Sequence, residues 1–174
     1  MMIKLPMSCV MTNQTIVGDS SPLIALAIIG QLELLPKLYQ RVMVPTMVWE
    51  EVTVHGAGLP GALAVSQLAW LEIQAPTPEL LQPLTILVDR GEAQVIALAL
   101  GMPGSTVLLD DAQARRVAER FGVIRIGTLG ILRRAKKTGL IGAIKPYLIQ
   151  LQDNGIYIRK NLIDAVLRDV GELA

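Results

Sequence analysis

Residues 15–26, Thr-Ile-Val-Gly-Asp-Ser-Ser-Pro-Leu-Ile-Ala-Leu, leave the chain little choice of architecture. An uncharged run of β-formers reaches one carboxylate, two hydroxyls and a proline, and a second apolar run follows. The first run reads as a buried strand, because no charge interrupts Thr15, Ile16 and Val17. The second reads as a helix with Pro22 in its first turn and Ser21 placed to cap it. Asp19 then stands at the carboxyl end of a strand, where open α/β sheets hold their ligands. As a lone residue it is equally a turn former at a helix start.

The same alternation recurs along the chain. Val42-Met43-Val44 reads as a short buried strand, after which Pro45 opens a helix through Met47, Val48 and Val52. A helix broken by Pro36 is expected over 31–39, a flexible loop over 55–61 and a third strand over 70–73. Gly91-Glu92-Ala93 opens an apolar helix to Leu100. Thr106 to Leu109 is a strand ending in Asp110-Asp111, with a helix over 112–121 and a last strand over 123–126. Helical segments over 129–137, 143–152 and 161–170 complete the chain. Strands alternating with helices imply a parallel sheet covered by helices through right-handed crossovers. The core must be aliphatic, since 52% of the residues are hydrophobic and only 3% aromatic.

Five acids stand out by position. Asp110 and Asp111 end their strand as Asp19 ends the first, and parallel strands present their carboxyl ends on one edge. Glu92 shares a helix face with Ile96 and Ala99, which places a carboxylate on a stripe expected to be buried. Such a group needs a cation or hydrogen-bond donors, because burying it unpaired costs several kcal/mol. Glu51 shares its face with Met47, Val48 and Val54, so it is favoured over Glu50 as the inward residue. Each acid also has an ordinary reading: Glu92 as a helix cap or partner of Arg90, Glu51 as a rim charge, Asp110-Asp111 as an N-cap pair. No Lys or Arg stands on those strand ends to neutralise them. An all-oxygen donor set without His or Cys suits Mg²⁺ or Mn²⁺ rather than zinc.

The net charge is +1, but it is unevenly spread. From Ala112 to Gln152 nine Lys and Arg residues face Glu119 alone, a local excess of +8 that leaves −7 elsewhere. That asymmetry fits either a polyanion-facing side or a solvated helix face. The single cysteine, Cys9, excludes an internal disulfide, and with His55 as the only histidine no Cys/His zinc cluster can form. Lys4 and Pro6 break any signal-peptide core, and no run has membrane-spanning length. A cytoplasmic protein with no membrane association is expected.

Four ordered motifs, D-S-S-P-L-I-A-L, V-P-x-x-V-W-E-E-V, D-R-G-E-A-Q-V-I-A-L-A and L-L-D-D-A-Q-A-R, resemble PIN-domain proteins. The resemblance spans 15–138 and is nearest to a branch related to VapC-type toxin ribonucleases. It implies an α/β fold, a three-layer α/β/α sandwich with a parallel four- to five-stranded sheet. The implied organisation is a flexible lead over 1–13, a PIN-like nuclease domain over 14–139 and extra C-terminal helices over 140–174, packed on the domain or on a partner. It further implies a Mg²⁺- or Mn²⁺-dependent endoribonuclease. Asp19, Glu51, Glu92 and Asp111 would be the catalytic acids, with Asp19, Glu92 and either Asp110 or Asp111 holding the metal. Ser20 and Ser21 would be supporting hydroxyls. Glu92 departs from the pattern, standing where many relatives have Asp.

Arg115, Arg116, Arg133, Arg134, Lys136 and Lys137 are then the candidates to follow an RNA backbone. The toxin type implies a small antitoxin partner and a homodimer, for which the aliphatic faces around 26–38 or 162–170 are available. The alternative is a catalytically silent PIN-like protein that binds RNA or an antitoxin. A carboxylate-dyad glycosidase lacks the aromatic surface that sugars stack on.

Overall fold

Among the described residues five short strands form one sheet: β1 (Thr15–Gly18), β2 (Arg41–Val44), β3 (Leu71–Ile73), β4 (Thr106–Leu108) and β5 (Ile124–Ile126). The computed structural model describes residues 14–173, so the lead expected over 1–13 lies outside the described residues. All pairings are parallel and the strand order is β3-β2-β1-β4-β5. Consecutive strands therefore step outward from β1 on one side and then from β4 on the other. The reversal between β1 and β4 opens a crevice beyond their carboxyl ends.

Among the described residues ten α-helices connect and cover the strands. They are α1 (Ser20–Ile28), α2 (Leu34–Leu38), α3 (Thr46–Glu50), α4 (Ala62–Ser66) and α5 (Pro78–Leu81). After them come α6 (Arg90–Leu100), α7 (Ala112–Arg120), α8 (Thr128–Lys137), α9 (Lys145–Asp153) and α10 (Lys160–Asp169). Helix α8 touches α1 and α2, and α9 touches α1, whereas α6 packs against α5 and α7; the helices cover both faces of the sheet as an α/β/α sandwich. The core is aliphatic, with Ile16, Leu26, Met43, Leu108 and Leu132 all buried and Tyr39 the one fully buried aromatic among the described residues. Each such aliphatic side chain contributes about 1.5–3 kcal/mol by leaving water.

The segments past 139 join that same core. Ile144, Leu148, Leu151, Val166 and Leu167 are buried with it, and Glu172 accepts hydrogen bonds from the Ile144 and Lys145 amides (2.6 and 2.9 Å), closing the start of α9. No helix among the described residues is long and apolar enough to cross a membrane.

Several local expectations are corrected. The helix expected over 31–39 shrinks to α2, because Pro36 lacks the amide an interior turn needs and is tolerated only in a first turn. The N-cap of α1 is Asp19, not Ser21. The aliphatic stretch around 26–38 is not a free face for a second subunit, since Leu26, Leu32, Leu34 and Leu35 are spent in the chain's own core. The helix after Pro45 changes at Glu51 into a π-helical turn, Glu51–His55, where the Gly56 amide donates to the Glu51 carbonyl at 2.8 Å.

Candidate active site

The sequence ends β1 at Gly18 and starts α1 at Ser20, so Asp19 is held between the two with its backbone fixed. Its amide donates to the Leu108 carbonyl at the end of β4 (3.1 Å), which ties the first acid to the other side of the crevice. The side chain makes no capping bond and is only 7% exposed. Burial pushes its pKa from 3.8 up to about 7, partly offset by the Ser20 amide and reinforced by the charges of Asp89, Glu92 and Glu51.

Glu51 approaches the same point from the π-helical turn. Such single turns insert one extra residue into a helix and redirect the side chains around them. Glu51 is exposed, not inward, and stands at the rim with Ser20 around a small cavity of about 270 Å³. Glu50 is exposed as well, so accessibility does not separate the two; direction does. A β-carbon placed on Gly91 would lie 3.5 Å from Asp19 Oδ1, 3.5 Å from Glu51 Oε2 and 3.6 Å from Asp89 Oδ1. Asp19 and Glu51 thus bring oxygens no farther apart than twice that distance, across a glycine with no side chain to separate them.

Asp89 escaped the sequence reading. It is the N-cap of α6, where its Oδ1 accepts from the Glu92 amide (2.8 Å) while Glu92 Oε2 accepts from the Asp89 amide (3.3 Å). This reciprocal capping box is written in the sequence as an Asp followed three residues later by a Glu. Glu92 is 8% exposed, and burial, with the charges of Asp89 and Asp111, raises its pKa. The capping role and the buried carboxylate foreseen for Glu92 therefore coexist.

The two adjacent aspartates separate. Asp111 caps α7, its Oδ1 accepting from the Gln113 and Ala114 amides (2.8 and 2.9 Å), and it faces Glu92. Asp110 turns to α8, where Oδ1 accepts from the Thr128 amide (2.7 Å) and Oδ2 from the Thr128 hydroxyl (2.6 Å). Both Asp110 oxygens accept from Thr128, so it braces the end of β4 against α8 while lining a groove with Asp111. Ser20 sits beside Glu51, whereas exposed Ser21 looks into a neighbouring groove shared with Asp111.

Asp19, Glu51, Asp89, Glu92 and Asp111 form no ion pair among the described residues. Asp89 and Asp111 each keep one oxygen without a protein partner, and no buried side-chain oxygen or nitrogen is left unbonded among the described residues. The open oxygens of Asp19 and Glu92 therefore reach solvent at the mouth. As the side chains stand, no three His, Cys, Asp or Glu among the described residues are placed to hold one ion. The donor chemistry nonetheless fits a hard divalent cation: all-oxygen ligands, crowded like charges and no competing Lys or Arg.

A family model described as DUF3368, PIN domain, matches residues 15–172. The chain belongs to the PIN-domain family. Among curated proteins nothing matches it. PIN domains have a nuclease fold and generally use divalent metal ions; in this PIN domain Asp19 and Asp111 follow the ends of β1 and β4, while Glu51, Asp89 and Glu92 come from helices.

The basic residues expected to follow RNA have unequal freedom. Arg133 and Lys137 share the Asp169 carboxylate, the latter at 2.7 Å. Lys136 reaches the Gly142 carbonyl and Glu172. Arg134 lies 4.9 Å above the Tyr39 ring and donates to its hydroxyl and to Gln14 (both 3.1 Å), so it is chiefly a brace for the fold. Arg116 is exposed and Arg115 half-buried, and neither side chain has a hydrogen-bond or ion-pair partner among the described residues.

Proposed function

We propose that this PIN-domain protein is a metal-dependent endoribonuclease of the VapC toxin type that hydrolyses RNA phosphodiester bonds. The observation that carries the reading is the convergence of the Asp19, Glu51 and Asp89 oxygens around Gly91, with no ion pair to any of them among the described residues. Asp19, Glu92 and Asp111 would hold the ion, Mg²⁺ or Mn²⁺, with Asp89 alongside. When bound, such a cation supplies water ionised near neutral pH and a counter-charge for the phosphoryl oxygens.

The protein's own part is positioning. Asp19 must be ionised to bind, and its burial makes that costly until a cation arrives. Glu51, on the exposed rim, can orient the attacking water and take its proton, while Ser20 beside it donates to a phosphate oxygen. The capping bonds of Asp89, Glu92 and Asp111 fix their backbones, so their open oxygens are pre-oriented at little entropic cost. Products would carry 3′-hydroxyl and 5′-phosphate ends. The toxin type also brings a small antitoxin, which would offer an Arg or Lys to the acids, and a homodimer.

The second reading is a silent PIN-like protein that binds RNA or an antitoxin without cutting. The capping bonds favour it to the extent that Asp89 Oδ1 and Asp111 Oδ1 are already committed to helix starts. Incubation with structured RNA and Mn²⁺ decides between them. Cleavage that is lost with EDTA and in Asp19→Asn is the expected result. RNA binding retained by Asp19→Asn, with no cleavage by the unmodified protein, would leave the silent reading.

A further inference from the structure

We propose that the groove beside α1, α8 and α10 is the track of a single-stranded RNA and that Tyr157 is the platform on which one base stacks. The proposal rests on the ribonuclease reading for the identity of the polyanion. The groove holds about 1250 Å³; Ser21 and Asp111 line one part of it, beside the acidic mouth, and Arg159 and Tyr157 another. It therefore joins the candidate active site to the segment between α9 and α10.

Charge selects the occupant. Six Lys and Arg side chains line the groove against three carboxylates. One of those carboxylates, Asp110, is occupied by Thr128, and another, Asp169, is shared by Arg133 and Lys137. Arg125 pairs with Glu119 and Arg134 is held by Tyr39 and Gln14, whereas the side chains of Arg115 and Arg159 have no hydrogen-bond or ion-pair partner among the described residues. A phosphate chain supplies the missing counter-charges at regular intervals, and its contacts would carry no sequence information.

Tyr157 supplies what phosphates do not use. The chain has only six aromatic residues, and Tyr157 leaves 85% of its surface in water at the groove wall. Its ring does not pack against the hydrophobic core, so core packing does not explain the residue. Aromatic faces next to a cationic track are the arrangement that holds unpaired bases, because every base offers a flat π surface. A duplex hides those surfaces in its own stack, so the substrate is a single strand or a loop.

Binding of a short fluorescein-labelled oligouridine, followed by anisotropy in EDTA, tests the track without any cleavage. Tyr157→Ala is expected to weaken binding about tenfold, the order of one lost base stack, and Tyr157→Phe to keep it. Arg159→Ala should reduce the slope of log affinity against log salt by about 0.7. The matched duplex should bind more weakly than the single strand. Because Tyr157 is exposed, the melting temperature of each variant should equal that of the unmodified protein. Unchanged binding by Tyr157→Ala, an unchanged salt slope in Arg159→Ala, or equal affinity for the duplex would overturn the track. An absence of any oligonucleotide binding would do the same and leave the groove to a protein segment. If the oligonucleotide binds as described while RNA is never cut, the track survives and the nuclease reading fails. If RNA is cut equally well by Tyr157→Ala, the reverse holds.

Discussion

Asp19→Asn should stabilise the metal-free protein, by an amount that grows as pH rises above 3.8 and is complete above about 7. Below its ordinary pKa of 3.8, Asp19 is protonated whether the chain is folded or not, and it contributes no pH dependence. Between that value and about 7 the unfolded chain ionises Asp19 while the folded chain keeps the proton. Stability therefore falls as pH rises through this window and levels off above it. At about 1.36 kcal/mol per pH unit, the interval corresponds to about 4 kcal/mol. An asparagine carries no charge to desolvate and escapes the repulsion of Glu51, Asp89 and Glu92, while its oxygen can still accept from the Ser20 amide. In a chain of this size the gain at about pH 8 is about 10 °C in melting temperature. Thermal unfolding by circular dichroism, with EDTA and across the window, measures it. A difference that does not change with pH, or a less stable variant at alkaline pH, would refute the reasoning. Adding Mn²⁺ should reverse the order, because a ligand that binds only the folded, ionised form raises its stability by mass action.

Two further substitutions separate structural from site roles. Asp110→Ala should cost about 1–3 kcal/mol in urea unfolding, since it orphans the Thr128 amide and hydroxyl, yet leave Mn²⁺ affinity unchanged. Gly91→Ala should gain about 0.5–1 kcal/mol as a helical residue, because the added carbon meets its neighbours at ordinary contact distance. That same carbon sits among the Asp19, Glu51 and Asp89 oxygens, so calorimetric Mn²⁺ binding should weaken while the melting temperature rises.

Strand ends are legible because the apolar runs over 15–18 and 106–109 stop at carboxylates, and the structure places β1 and β4 at the strand-order reversal. Asp89 is equally legible through its spacing to Glu92, but the apolar helix face that singles out Glu92 carries no signal for the residue that caps it. The π-helical turn was not legible. It needs the Gly56 backbone to close on the helix end, where a β-carbon would stand 2.6 Å from the Val52 carbonyl oxygen, and a single glycine in a loop looks like any other. Glu51 was singled out by helical periodicity, yet it reaches the acids as a rim residue on a widened turn. The pairing of Arg133 and Lys137 with Asp169 depends on where α10 packs, more than thirty residues along the chain, and no local pattern carries that.

The central claim is that separated acids make one mouth that demands a divalent cation. Anomalous diffraction at the manganese edge, from crystals grown with Mn²⁺, addresses it most directly. A peak coordinated by Asp19 and bordered by Glu51, Asp89, Glu92 and Asp111 is the predicted result. At saturating Mn²⁺, an empty mouth or a peak held only by other carboxylates would contradict it.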